Sequence, residues 1–188
     1  MSFLLRSLPL CAGFTLLAAP LASSAETLKT HTTKGWTAKV PSSWRQTSVT
    51  PLGKDPRFGG WVLRSPNGNT VLRVRLQPED AKPLPFGKEV AASSKRFLDL
   101  VTNVRPLDSS ITKDAGRDIA YTVLRATMKR NKRQHRYTVA RIVMRYNTRK
   151  TLVTMTLMAT PERMSDFTKH LESITKSFDL AAPAPVKR

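Results

Sequence analysis

The stretch IAYTVLRATMKRNKRQHRYTVARIVMRYNTRKTLVTMTLMATP, residues 119–161, decides the fold. Apolar and polar side chains alternate in it over three runs: Ile119 to about Lys129, Arg136 to Tyr146, and Thr151 to Ala159. That is the period of two imposed by a strand with one buried face. The basic, polar segment Arg130–His135 separates the first two runs. Asn147-Thr148, with the chemistry of a tight turn, separates the second from the third. Three consecutive antiparallel strands are predicted. Ile142-Val143-Met144 and Leu157-Met158 interrupt the alternation with adjacent apolar residues, which suits a sheet covered on both faces. The same stretch holds no Asp or Glu but ten basic residues: Arg125, Lys129, Arg130, Lys132, Arg133, Arg136, Arg141, Arg145, Arg149 and Lys150.

Working outward, Thr160-Pro161-Glu162 has the composition of a helix start, with a capping hydroxyl, a proline suited to the first turn and an acid at the positive end of the dipole. Met164, Phe167, Leu171, Ile174 and Phe178 then step by 3, 4, 3 and 4, the stripe of a core-facing helix. Toward the N-terminus, Trp36, Ala38 and Val40 lie on one face of a short strand, and Pro41-Ser42-Ser43-Trp44 turns the chain. Thr47 to Phe58 has no clear period. Trp61–Arg64 and Thr70–Gln77 form a predicted hairpin around Asn67-Gly68, a pair that accepts the positive φ of tight turns. In its second strand, Val71, Arg73 and Arg75 face one way and Leu72, Val74 and Leu76 the other. Pro78–Pro85 reads as a loop. From Gly87 to about Val104 an amphipathic helix is predicted, ended by Arg105-Pro106. Ile111–Arg117 reads as a link into the meander.

Residues 1–25 have the form of a secretory signal: Arg6 near the start, an apolar run from Leu8 to Leu21, and small residues at Ser23-Ser24-Ala25. The run is too short to span a bilayer comfortably. Residues 26–34 are expected to be a flexible lead-in, 35–180 a single domain, and 181–188 a disordered tail. Cys11 is the single cysteine and leaves with the leader, so the exported chain must hold together by packing alone. The formal charge is +19, and Arg6 is the one charged residue in positions 1–25, which leaves +18. A charge of that size attracts anionic surfaces.

The element order, together with three short motifs, resembles the PsbP/Mog1-like family over about residues 34–180. The motifs are the Pro41-Ser42-Ser43-Trp44 turn after the first strand, Phe86-Gly87 before the first helix, and Ser177-Phe178 closing the last one. The resemblance implies an α+β fold in which an antiparallel sheet of about six strands lies between helices, an α/β/α sandwich. It also implies a non-enzymatic accessory or binding role. Members serve very different ends, one assisting a photosystem's manganese–calcium cluster and another binding a small GTPase, so no partner carries over.

Catalytic chemistry finds no motif. His31, His135 and His170 lack metal-ligand spacing. Glu79-Asp80, in the proline-rich loop, is the one adjacent acid pair, and the serine pairs lack nucleophile-elbow glycines. No phosphate-cradling glycine loop is present and no cofactor is expected. The 13 acids could still meet through folding. The remaining constellation is basic: Lys129, Arg130, Lys132, Arg133 and Arg136 around the first turn, continued by Arg141 and Arg145 on one strand face. These seven are the candidate contact for an acidic protein or an anionic envelope component, and peripheral membrane contact fits the same chemistry. Nucleic acid is set aside, since no RNA- or DNA-binding motif accompanies the charge and export opposes it. Which face Arg125 and Lys129 join depends on the register of the first turn. The alternative function is a small-ligand or lipid carrier, with an apolar pocket between sheet and helix lined by Trp36, Trp44 or Trp61.

Overall fold

The computed structural model describes residues 26–114, 116–130, 133–161 and 164–181. The three predicted strands of the meander are present as β7 (Arg117–Arg130), β8 (Arg133–Tyr146) and β9 (Thr151–Ala159). The predicted hairpin is β4 (Gly59–Arg64) and β5 (Thr70–Pro78). At its turn Gly68 has φ +71° and donates its N–H to the Ser65 carbonyl at 2.9 Å, a conformation that a side chain would strain. With β3 (Arg45–Pro51) and β6 (Thr102–Asp114) these strands form a seven-stranded antiparallel sheet in the order β3-β4-β5-β9-β8-β7-β6. A second sheet joins β1 (Leu28–Thr32), β2 (Trp36–Pro41) and β10 (Asp179–Leu180) in the order β1-β2-β10.

Both faces of the large sheet are covered, as the doubly apolar runs require. On one face Leu72, Val74, Leu76, Ile142, Met155 and Leu157 meet Trp36, Ala38 and Val40 of β2 and Phe167, Leu171 and Ile174 of α2 (Met164–Ser177). Trp36 is fully buried here, stacked on Phe178 at 5.6 Å and edge-on to Trp61 at 6.2 Å. On the opposite face α1 (Phe86–Leu98) lies over two smaller clusters. Phe97 and Val101 pack with Val71, Leu124, Val139 and Met158. Phe86 and Val90 pack with Ala120, Val143 and Leu152. The fold is therefore α+β, an antiparallel sheet between helices.

Several boundaries differ from the sequence reading, each for a physical reason. The large sheet, with seven strands, matches the expected sheet of about six, while the separate three-stranded sheet was not foreseen. The residues expected as a flexible lead-in form β1, paired with β2, where Lys29 Nζ donates to the carbonyls of Ser42 and Trp44 at 2.7 and 3.2 Å. α1 stops at Leu98, short of Val104. The supposed link after it is the far end of β6, an edge strand whose described side chains are all exposed, so no apolar alternation marks it. Pro106 and two register shifts in β6 suit an edge that must not recruit another strand. β3, the other edge, is likewise exposed throughout. Residues 1–25, expected as a secretory signal, and residues 182–188 of the expected tail lie outside the described residues.

His31 on β1 sits with its ring 5.3 Å from that of Trp36. Burial, and secondarily the charge of Lys29, lowers its pKa from 6.5, against the raising effect of the hydrogen bond that the ring Nε2 shares with the Gln46 Oε1 acceptor. The unfolded chain therefore takes up this proton at higher pH than the folded one. The His31 contribution to stability is fully present above pH 6.5 and is lost as pH falls toward the folded value. His31→Gln should flatten the fall in Tm between pH 7.5 and 5. An unchanged slope would exclude this origin.

Candidate functional site

β7 and β8 remain paired from Arg117 opposite Tyr146 out to Arg130 opposite Arg133. β9 follows β8 only as far as Thr138 opposite Ala159. Beyond Thr138, β7 and β8 overhang β9 as a ribbon, on which Lys129, Arg133, Gln134, His135 and Arg136 are exposed. Register settles the faces. Arg125 stands opposite Thr138, Thr127 opposite Arg136, and Lys129 opposite Gln134. Arg125, Lys129 and Arg136 thus share the face that carries the larger core lower down, while Arg133 and His135 lie on the other. Arg105 of β6 stands opposite Arg125 and adds a cation that sequence reading assigned to a helix end. Lys129, Arg133 and Arg136 form no ion pair with any described residue. Arg130 is placed by its backbone pairing alone, and Lys132 lies outside the described residues.

Arg141 and Arg145 are not the continuation of this surface. Their even spacing does put them on one face, but that face is under α1, and each is only 8 % exposed. The Arg145 guanidinium lies 5.3 Å from the Phe86 ring centre and donates from Nη2 to the Leu84 carbonyl at 2.7 Å. Its Nε faces Glu79 Oε1 at 2.7 Å, as an ion pair whose N–H is not aimed squarely at the oxygen. The acid pair Glu79-Asp80 thus supplies the partner of a buried arginine. The turn before β9 also differs from the two-residue expectation. It spans Asn147–Lys150, so Arg145 stands opposite Leu152 and not Lys150.

Arg141 has a different environment. Its Nη2 donates to Ser93 Oγ at 2.8 Å and to the Ser93 carbonyl at 3.1 Å, and its guanidinium lies 4.6 Å from the Phe97 ring centre. Burial, with the charge of Arg96 adding to it, lowers its pKa to about 10, so it stays protonated at neutral pH. Arg141 opens onto a cavity of about 240 Å³ beside α1, also lined by Arg73, Arg75 and Arg96. Alternation along β5 puts Arg73 and Arg75 on one strand face but does not connect them with Arg141, because only the sheet order sets β5 two strands from β8.

The three tryptophans are core residues: Trp36, Trp44 and Trp61 are at most 4 % exposed. They fill the space between sheet and helix that a carrier pocket would need. An edge of Trp61 does border a separate cavity of about 440 Å³ between the β1–β2 turn and the β3–β4 loop, beside Phe58, Val49 and Lys54. Among the described residues no His, Cys, Asp and Glu cluster could hold a metal ion, and no helix is long and apolar enough to cross a membrane.

No family model and no curated protein matches the sequence. Solved structures do match the fold. The order of strands and the placing of the helices define an antiparallel sheet sandwiched between helices. Within that class, the chain has the PsbP/Mog1-like fold. The solution structure of cyanobacterial PsbP from Synechocystis sp. PCC 6803 superposes with a TM-score of 0.56 at 12 % identity, over 88 % of this chain and 99 % of that one. The Ran-binding protein Mog1p of Saccharomyces cerevisiae gives 0.55 at 13 % identity, over 83 % and 96 %.

Proposed function

We propose that this is an exported, non-catalytic binding domain whose overhanging β7–β8 ribbon meets an anionic partner, either an acidic protein or an anionic envelope surface. One observation carries the reading: Lys129, Arg133 and Arg136 stand exposed at the end of the ribbon without an ion-pair partner among the described residues, in a stretch that contains no acid. Like charges gathered on a short ribbon repel one another, and a facing anion relieves that repulsion. The leader-like residues 1–25 support export. That Mog1p is a Ran-binding protein supports a binding role for this fold; it does not supply the partner.

The test is co-sedimentation with vesicles of neutral phospholipid, with and without an anionic phospholipid, alongside binding to polyglutamate. A basic side chain near an anionic membrane contributes about 1 kcal/mol. Changing Lys129, Arg133 and Arg136 together to Gln should therefore weaken binding to the preferred anion about a hundredfold. Binding confined to the vesicles identifies an envelope surface; binding confined to polyglutamate identifies an acidic protein. Equal binding of wild type and variant to both would end the reading.

A further inference from the structure

A second basic site, separate from the ribbon, lies along α1. We infer that the groove between α1 and strands β5 and β9 holds a compact oxyanion of the phosphoryl type, gripped by Arg73, Arg75, Arg96 and Arg141. The inference does not depend on what the ribbon binds.

The sheet register builds the site. Arg73 on β5, Thr156 on β9 and Arg141 on β8 form one cross-strand row, because Thr156 stands opposite both arginines. Two strand spacings separate Arg73 from Arg141, about 10 Å between backbones, a gap that two long side chains pointing to the same side can close around a small anion. Arg75 stands opposite Thr154 in the next row on the same face, about 7 Å along the strand. Arg96 reaches the groove from the last turn of α1, one helical turn beyond Ser93. The hydroxyls of Ser93, Thr154 and Thr156 complete the polar lining.

The two buried arginines of β8 differ in their partners. Buried charges are normally paired. Arg145 obeys, with Glu79 at 2.7 Å. Arg141, equally buried, forms no ion pair with a carboxylate among the described residues, and Arg96, which lines the same cavity, adds a second cation beside it. Its Nε is buried without a hydrogen-bond partner. Arg73, Arg75 and Arg96 likewise make no ion pair with described residues. Four guanidinium groups around one cavity, with no acid among its lining residues, leave the site short of negative charge. The cavity, about 240 Å³, has room for a tetrahedral oxyanion. Planar guanidinium forks match its oxygens in pairs. The remaining wall, formed by Phe97, Leu100 and Met158, is apolar and would lie against whatever carries the anionic group.

The experiment is thermal unfolding and isothermal titration of the exported chain with inorganic phosphate, with dihexanoyl phosphatidylglycerol below its micellar concentration, and with sodium chloride at matched ionic strength. Phosphate should raise Tm beyond the chloride control. In Arg73→Gln/Arg75→Gln, whose changes are at exposed positions, affinity should fall about tenfold or more, the effect of losing a charge-assisted hydrogen bond. Arg141→Met should do the same while keeping its fold, since an apolar side chain of similar length tolerates the buried position. The ribbon variant Lys129→Gln/Arg133→Gln/Arg136→Gln should retain wild-type phosphate affinity. Tighter binding of the lipid than of phosphate assigns the site to a phospholipid headgroup. Equal binding assigns it to the free oxyanion, and either result supports the inference. No stabilisation beyond the chloride control would overturn it, as would undiminished phosphate binding in the groove variants or a loss confined to the ribbon variant.

Discussion

Arg145→Met should destabilise the protein by about 3–5 kcal/mol, the cost of leaving a buried partner charge unpaired. Glu79 is the group left behind, its side chain 14 % exposed and facing Arg145 at 2.7 Å. The substitution also frees the Leu84 carbonyl and removes the cation over Phe86, so the far end of the loop, at Leu84, loses this side-chain tie to the sheet. The double variant Arg145→Met/Glu79→Leu should recover most of the loss, since replacing both members of a buried pair with apolar groups is often close to neutral. Urea unfolding of the wild type, the two single variants and the double variant gives the coupling directly. If Arg145 were part of a wet basic stripe, as spacing alone suggests, the single change would fall within about 0.5 kcal/mol of wild type.

Trp36→Ala should cost a comparable amount, about 3–5 kcal/mol. Trp36 is the point where the two sheets and the chain after α2 meet: it is fully buried, stacked on Phe178 and edge-on to Trp61. Truncation opens a cavity that these neighbours can close only by moving strands. Trp36→Phe should be much milder. The indole Nε1 has no hydrogen-bond partner in the structure, so phenylalanine keeps most of the packing and removes a buried unsatisfied donor. Urea unfolding followed by far-UV circular dichroism distinguishes the two variants. Equal losses for Ala and Phe would mean that the indole ring, and not aromatic packing in general, is required.

The meander was legible because apolar residues alternate along its strands and run together in β8 and β9 where both faces are buried. The last helix was legible because Phe167, Leu171 and Ile174 repeat at helical spacing and are buried as that spacing requires. β3 and β6 were not legible, because an edge strand with exposed side chains on both faces has no period to read. The site was half legible. Clustering along the chain revealed the ribbon, whose cations are close in sequence. It misplaced Arg141 and Arg145, because even spacing reports a shared face but not what covers it. The groove was hidden, since Arg73, Arg75, Arg96 and Arg141 come from three elements that only the order β5-β9-β8 and the seat of α1 bring together.

The central claim is that the exposed end of the β7–β8 ribbon attracts an anionic partner by charge. Its most direct test is the affinity of the chain from residue 26 onward for anionic vesicles and for polyglutamate as salt is raised. Screening shortens the reach of exposed charges from ~10 Å at 0.1 M to ~3 Å at 1 M. If the claim holds, binding to one of the two ligands is tight at low salt and weakens steeply as salt rises, with a shallower dependence in Lys129→Gln/Arg133→Gln/Arg136→Gln. Binding that is indifferent to salt, or a salt dependence identical in wild type and variant, would contradict it.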